Sequence, residues 1–279
     1  MATSTFILAG VMGWPIAHSR SPLIHGHWIA EHGLLGAYVP LAVNPAQLPQ
    51  ALTGLKALGF AGCNLTLPHK IEALPWLDET DPVAQRIGAV NTVSVRADGS
   101  LFGTNTDAFG FIQSLHEAKS AWQAHAGSAV VLGAGGAARA VVWALTDAGV
   151  PEIRLLNRSP DKAQAMAEEF GAVVKALDWA ERHAALEGAA LLVNTTTQGM
   201  QDQAALDVHL DALSAQALVC DIVYTPLQTD LLKRAAARGN PTVNGLGMLL
   251  HQARPAFASW FGVMPEVTPA LWAKVLATL

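Results

Sequence analysis

The apolar run Ala129-Val130-Val131-Leu132 leads directly into Gly133-Ala134-Gly135-Gly136-Ala137-Ala138, and the stretch from Ala137 to Ala148 has helical character that stops at Gly149. A strand, a glycine turn and a helix in immediate succession are the context in which a G-x-G-x-x-G/A match signals a dinucleotide-binding unit. Gly133 permits the tight turn, Gly135 lets backbone approach a pyrophosphate, and Ala138 lets helix pack on strand. The helix N-terminus then offers free N–H groups and the positive end of its dipole to the phosphates. Because the glycines come in mid-chain, about 130 residues precede them, and these are expected to hold what the nucleotide acts upon.

The chain has 279 residues, 51% hydrophobic and 14% charged, which suits a sizeable core in two domains or one large one and argues against disorder. A net charge of −5 argues against nucleic acid or an anionic membrane surface as the main partner. Cys63 and Cys220 are too few and too isolated for a disulfide framework, which fits a reducing cytoplasm. Met1 to Gly13 is apolar but lacks a basic leader, and no apolar run reaches about 18 residues. Neither a signal peptide nor a membrane span is expected.

Along the chain, Phe6–Val11 reads as a buried strand. Pro22–Glu31 reads as a helix with Ser21 as N-cap and Pro22 at its first position. Strands are expected at Ala37–Val43 and Ala61–Leu67, helices at Pro45–Leu58 and Ile71–Leu77, and a hairpin pairs Asn91–Arg96 with Ser100–Gly103 around Asp98-Gly99. A connecting helix over 108–122 leads to further strands at Ile153–Leu156, Leu191–Val193 and Leu218–Ile222, and helices at Met248–Trp260 and Pro269–Leu279 close the chain. These patterns predict an α/β protein of two domains. One is an N-terminal, mostly parallel α/β substrate domain, residues 1–107, completed by C-terminal helices, residues 245–279. The other is an inserted Rossmann nucleotide-binding domain, residues 108–244 with the connecting helix.

Three polar clusters interrupt the apolar first part. In Ser19-Arg20-Ser21, an extended backbone points both hydroxyls one way, at a helix start where an anion is favoured, so they can hold a carboxylate; alternatively Ser21 only caps the helix and Ser19 lies in a loop. In Asn64-Leu65-Thr66-Leu67-Pro68-His69-Lys70, two polar residues share one face of a strand, and Pro68 throws Lys70 to the carboxyl end, where open α/β sheets bind ligands. Gly103-Thr104-Asn105-Thr106-Asp107, with Asn91-Thr92 upstream, again ends apolar segments in polar groups that could equally be turn formers.

About twenty residues after the glycines an NAD enzyme places an acid on the ribose 2′-hydroxyl. Here stand Asn157-Arg158-Ser159, with Lys162 one turn on. Arg158 and Lys162 suit a 2′-phosphate, so the cofactor expected is NADP. A metal is not expected: His25 and His27 fall two apart in a helix and do not share a face, and no Cys or carboxylate set completes a site.

Taken in order, these motifs resemble the shikimate dehydrogenase family, from Gly13 to about Trp260. The matching segments are Gly13-x-Pro15-x-x-His18-Ser19-x-Ser21-Pro22-x-x-His25, Asn64-x-Thr66-x-Pro68-His69-Lys70, Gly88-Ala89-Val90-Asn91-Thr92 and Gly103-x-Asn105-Thr106-Asp107. They continue through Gly133-Ala134-Gly135-Gly136-Ala137, Asn157-Arg158, Asp221-Ile222-Val223-Tyr224-x-Pro226-Leu227 and Gly245-Leu246-Gly247-Met248-Leu249-x-x-Gln252-Ala253. The resemblance implies a two-domain enzyme that reduces 3-dehydroshikimate to shikimate with NADPH in the chorismate route to aromatic amino acids. It implies that Ser19 and Ser21 hold the substrate carboxylate, that Thr66, Asn91, Asp107, Tyr224 and Gln252 contact ring oxygens, and that Lys70 and Asp107 are the catalytic pair. Gly133, Ala134, Gly135, Gly136, Ala137, Asn157, Arg158, Ser159, Lys162, Ile222 and Gly245 would line NADP. No nucleic-acid or membrane partner is implied, and the assembly would be a monomer or homodimer.

Two positions depart from the family's pattern. Gly26 replaces a usual Asn and is expected to loosen its helix or alter substrate packing; Ala108 replaces a common Gly. Two rivals remain: a quinate or dual quinate/shikimate dehydrogenase using NAD, and a non-catalytic module that binds NADP or a cyclic acid.

Overall fold

The computed structural model describes residues 6–279; residues 1–5, part of the apolar start read above, lie outside the described residues. Two compact units are present. One is the chain up to Thr106 together with Gln252–Thr278, and the other is Asp107–His251.

The first unit is built on a six-stranded sheet of β1 (Ile7–Gly13), β2 (Gly36–Ala42), β3 (Phe60–Leu65), β4 (Glu79–Thr80), β5 (Thr92–Val95) and β6 (Leu101–Thr104), in the order β2-β1-β3-β5-β6-β4. β1 runs parallel to β2 and β3, β4 runs parallel to β6, and the β5–β6 hairpin is antiparallel within itself and to β3. The expected long helix after Pro45 is a 3-10 turn followed by α2 (Leu48–Ala57). Its Leu48, Leu52 and Leu55, spaced by four and three, lie on one face and are buried against β3 residues Cys63 and Leu65. Each such leucine contributes about 1.5–3 kcal/mol.

On α1 (Ser21–Glu31), Trp28 is fully buried and its indole donates to Glu266 O at 3.0 Å. Trp260, in α9 (Gly245–Phe261), donates its indole N–H to Val93 O of β5 at 3.1 Å. The last helix, α10 (Pro269–Leu276), packs on α1. The C-terminal segments therefore complete this unit. The division falls at Gln252 rather than at Gly245, because the first turns of α9 belong with the second unit. There, a Cβ on Gly247 would lie 3.0 Å from that of Ser114, and His251 Nε2 lies 2.9 Å from Glu117 Oε2.

Gly26 sits in mid-α1 facing solvent, where an added Cβ would meet no atom within 4 Å. It therefore bears on helix stability and not on substrate packing. Gly26→Ala is expected to stabilise the fold by about 0.5–1 kcal/mol, read as a higher urea midpoint at unchanged slope.

In the second unit, six parallel strands, β7 (Ser128–Leu132), β8 (Ile153–Leu156), β9 (Val174–Leu177), β10 (Ala189–Asn194), β11 (Leu218–Asp221) and β12 (Thr242–Val243), lie in the order β12-β11-β10-β7-β8-β9. Numbered within the unit this is 3-2-1-4-5-6, the doubly wound Rossmann order, with its switch point between β7 and β10. The crossovers include α6 (Gly136–Asp147), α7 (Pro160–Phe170) and α8 (Asp230–Ala237), and α5 (Asp107–Ala118) leads in, ending before the expected residue 122. Each sheet holds one buried free cysteine, Cys63 on β3 and Cys220 on β11. Burial pushes both thiols far above their ordinary range.

Candidate active site

β1, β3 and β6 point the same way, and β5 runs against them, so the ends of β1, β3 and β6 and the start of β5 share one edge of the first sheet. The polar clusters sit there. Thr66 and Lys70 follow β3, Asn91 precedes β5, Thr106 follows β6, and Ser19 and Ser21 follow β1. Backbone hydrogen bonds lock the segments together: Thr66 N donates to Met12 O at 3.0 Å, Leu65 N to Asn91 O at 2.8 Å, Asn91 N to Thr104 O at 3.1 Å and Val90 N to Lys70 O at 2.8 Å. Lys70 lies in the short α3 (His69–Glu72) and is partly exposed.

The two serines are brought close by a turn, not by strand alternation. Arg20 is already in the right-handed helical region and makes no cap, so α1 begins at Ser21 itself. Ser21 is thus not the N-cap; its own N–H donates to Ser19 Oγ at 3.3 Å.

Asn91 is 2% exposed and is hydrogen-bonded at both ends of its amide. Its Oδ1 accepts from Thr106 N at 2.9 Å and from the Thr92 hydroxyl at 3.0 Å, while its Nδ2 donates to Thr106 Oγ1 at 3.0 Å and Gln252 Oε1 at 3.3 Å. Gln252 of α9 is thereby tied to the sheet edge. Asp107 follows Thr106 directly, opens α5 in the second unit and is buried.

His25 and His27 part company as helix geometry requires. His27 lies beside Glu31, whereas His25 is fully buried, stacked on Tyr38 at 4.0 Å between ring centroids with Trp28, Phe257 and Trp260 around it. Burial lowers the His25 pKa from 6.5 to about 3. Below pH 6.5 the unfolded chain therefore takes up a proton that the folded chain refuses, and stability falls as pH drops toward 3. The loss is about 1.4 kcal/mol per pH unit. Urea unfolding of His25→Phe should show a smaller loss between about pH 7 and pH 5 than the parent, by about 2 kcal/mol. Equal losses in the two proteins would contradict the assignment.

In the second unit the glycine run does what its spacing demands. Gly133 has φ +109, and a Cβ there would lie 2.5 Å from Thr195 Oγ1, so a side chain is excluded. At Gly135 and Gly136 a Cβ would meet nothing within 4 Å, which leaves an open cradle at the N-terminus of α6. Ala138 is fully buried, where the close packing of helix on strand needs a small residue. At the end of β8 the Asn157 amide donates to Ser159 O at 2.9 Å, and Arg158, Ser159 and Lys162 are exposed around the start of α7. Ile222 and Gly245 meet directly: Gly245 N donates to Val223 O at 3.1 Å, and a Cβ on Gly245 would lie 2.0 Å from Ile222 O. These residues fit a dinucleotide with phosphates at α6 and a 2′-phosphate near α7.

Asp221 stands in one of the motifs but carries no role in the sequence analysis; its signal is an acid closing the apolar run Leu218-Val219-Cys220. Its carboxylate accepts from Asn194 Nδ2 at 3.0 Å, Val223 N at 3.1 Å and Thr229 Oγ1 at 2.7 Å, and so shapes the loop that carries Ile222 and Tyr224. A ligand-type cluster of His183, Asp207 and His209, with His183 far from the other two in the chain, carries no signal in the sequence. There His183 Nδ1 accepts from His209 N at 2.9 Å and Arg182 ion-pairs with Asp207, so one acceptor atom each of His183 and Asp207 is already engaged.

A Rossmann unit with cations at its second strand end, on one chain with an α/β unit that gathers hydroxyls, amides and a lysine at one sheet edge, defines a dinucleotide-dependent enzyme. Residues 11–93 match the family described as "Shikimate dehydrogenase substrate binding domain", and residues 116–223 match "Shikimate / quinate 5-dehydrogenase". A protein of Paramagnetospirillum magneticum named shikimate dehydrogenase (NADP(+)) is 57% identical over 270 residues, covering 97% of this chain and 98% of that protein. Quinate dehydrogenase from Corynebacterium glutamicum in complex with NAD has a TM-score of 0.91 at 32% identity, covering 98% of this chain and 100% of that one. Shikimate 5-dehydrogenase from Thermus thermophilus in complex with NADP(H) and shikimate has a TM-score of 0.86 at 40% identity, covering 98% and 100%. The chain belongs to the shikimate dehydrogenase family.

Proposed function

We propose that this protein catalyses the reversible, NADPH-dependent reduction of 3-dehydroshikimate to shikimate, a step toward chorismate and the aromatic amino acids. The observation that carries the reading is the gathering of Ser21, Thr66, Lys70, Asn91 and Gln252 at one edge of the first sheet, a set suited to a polyhydroxylated ring acid. Ser19 and Ser21 hold the carboxylate, and Thr66, Asn91, Asp107, Tyr224 and Gln252 take the ring oxygens. When bound, the nucleotide supplies the hydride to the ketone carbon. Lys70, as an ammonium, gives a proton to the ketone oxygen and stabilises the charge that grows there. Asp107 orients Lys70 for that transfer. Gly133, Ala134, Gly135, Gly136 and Ala137 hold the phosphates, Asn157, Arg158, Ser159 and Lys162 hold the adenosine end, and Ile222 and Gly245 line the remainder.

The second reading, quinate oxidation with NAD, has the likeness to the C. glutamicum enzyme in its favour. Against it stand Arg158 and Lys162 where an NAD enzyme needs an acid. Steady-state rates with shikimate or quinate, each with NADP+ or NAD+, separate the two. Preference for shikimate with NADP+ supports the proposal, preference for quinate with NAD+ replaces it, and binding without nucleotide reduction points to a non-catalytic module. No helix among the described residues is long and apolar enough to cross a membrane. With its two cysteines free, the reading extends to a cytoplasmic monomer or homodimer.

A further inference from the structure

A continuous chain of buried hydrogen bonds runs between the proposed substrate-binding residues Ser21 and Asn91 and passes through Tyr38, which has no role assigned above. Tyr38 of β2 is 7% exposed, its ring clamped face to face on His25 with an interplanar angle of 1°. Burial pushes its phenol well above the ordinary range, so the hydroxyl keeps its proton. That hydroxyl donates to Asn64 Oδ1 at 2.6 Å and is hydrogen-bonded by the Ser21 side chain.

The polarity of every later link follows from that first one. With Oδ1 of Asn64 turned to Tyr38, its Nδ2 faces the other way and donates to Asn91 O at 3.0 Å and to Thr92 Oγ1 at 3.0 Å. Thr92 Oγ1, having accepted that bond, donates its own hydrogen to Asn91 Oδ1 at 3.0 Å. The Asn91 amide is thereby fixed with its NH2 toward Thr106 and Gln252. An Asn amide can turn over at little intrinsic cost, so a defined orientation needs an anchor of this kind.

We propose that Tyr38 is a positioning residue for the substrate site: through Ser21 at one end and Asn64, Thr92 and Asn91 at the other, its hydroxyl holds the carboxylate-binding and ring-binding groups in one preset arrangement. This rests on the assignment of Ser21 and Asn91 to shikimate given above. Tyr38 touches no substrate itself in this scheme. Its contribution is to substrate affinity and alignment, and the nucleotide, held by the other unit, does not sense it.

The test is a double-mutant cycle on the full-length enzyme with Tyr38→Phe and Ser21→Ala, following KM for shikimate, KM for NADP+, kcat and the thermal midpoint. Tyr38→Phe keeps the ring on His25 and removes only the hydroxyl. It should raise KM for shikimate about tenfold, leave KM for NADP+ unchanged, and cost much less in a Ser21→Ala background. Additive effects, or equal changes in both KM values, would overturn the role. Should Tyr38→Phe not fold, Thr92→Val breaks the chain from the Asn91 end. It is expected to give the same selective rise in shikimate KM, and an unchanged KM overturns the proposal. A parent enzyme that does not oxidise shikimate at all removes the underlying assignment, and the positioning role with it. An active parent with additive variants removes the positioning role alone.

Discussion

Lys70→Ala should lower kcat by about 10²–10⁴ while changing ternary-complex affinity much less, because the lost group acts on charge that exists only as the ketone is reduced. The expectation follows from where Lys70 stands. It leaves the end of β3 on the one-turn helix α3, is half-buried, and is held by its backbone carbonyl to Val90 N at 2.8 Å, one residue before Asn91. Full turnover by the alanine variant would take Lys70 out of the proton transfer. Asp107→Ala tests the partner role, with loss of kcat again expected to exceed loss of substrate binding.

The double variant Arg158→Gln with Lys162→Gln should raise KM for NADP+ by about a hundredfold and leave KM for NAD+ nearly unchanged. A charge-assisted hydrogen bond contributes about 1.5–3 kcal/mol. Both side chains are exposed, where solvent and salt weaken such contacts, so the lower end applies to each. Together that is about 3 kcal/mol, or roughly two powers of ten. The loss should shrink as ionic strength rises. If the two nucleotides weaken in parallel, the cations serve the shared adenosine moiety and the 2′-phosphate is held by something else.

The dinucleotide unit was open to sequence reasoning because its physics is local. A strand, a turn that only glycine can make and a helix start are adjacent in the chain, and Ile153–Leu156 is a strand with the bounds expected. Elements whose stabilisation is not local were missed. Helix α7 buries only Ala163, Met166, Ala167 and Phe170, a stripe too rich in alanine to stand out from a polar segment, and β12 is two residues that make sense only beside β11. The substrate-side residues were visible as polar interruptions, but their mutual geometry was not. That Asn64 looks inward to Asn91 and Thr92, and that Tyr38 anchors it, depends on pairing strands far apart in the chain. Ser21 as a cap was a reasonable expectation from Ser-Pro at a helix start, and it failed because Arg20 had already entered the helical region.

The two buried thiols give the molecule a pair of built-in reporters. Cys63 belongs to the first unit and Cys220 to the second, and neither can be alkylated until the sheet around it opens. The rates at which a thiol reagent modifies each would thus measure, in the native enzyme and without any added label, whether the two halves melt together or one at a time. Saturating NADP+ should slow the reaction at Cys220, and saturating shikimate the reaction at Cys63.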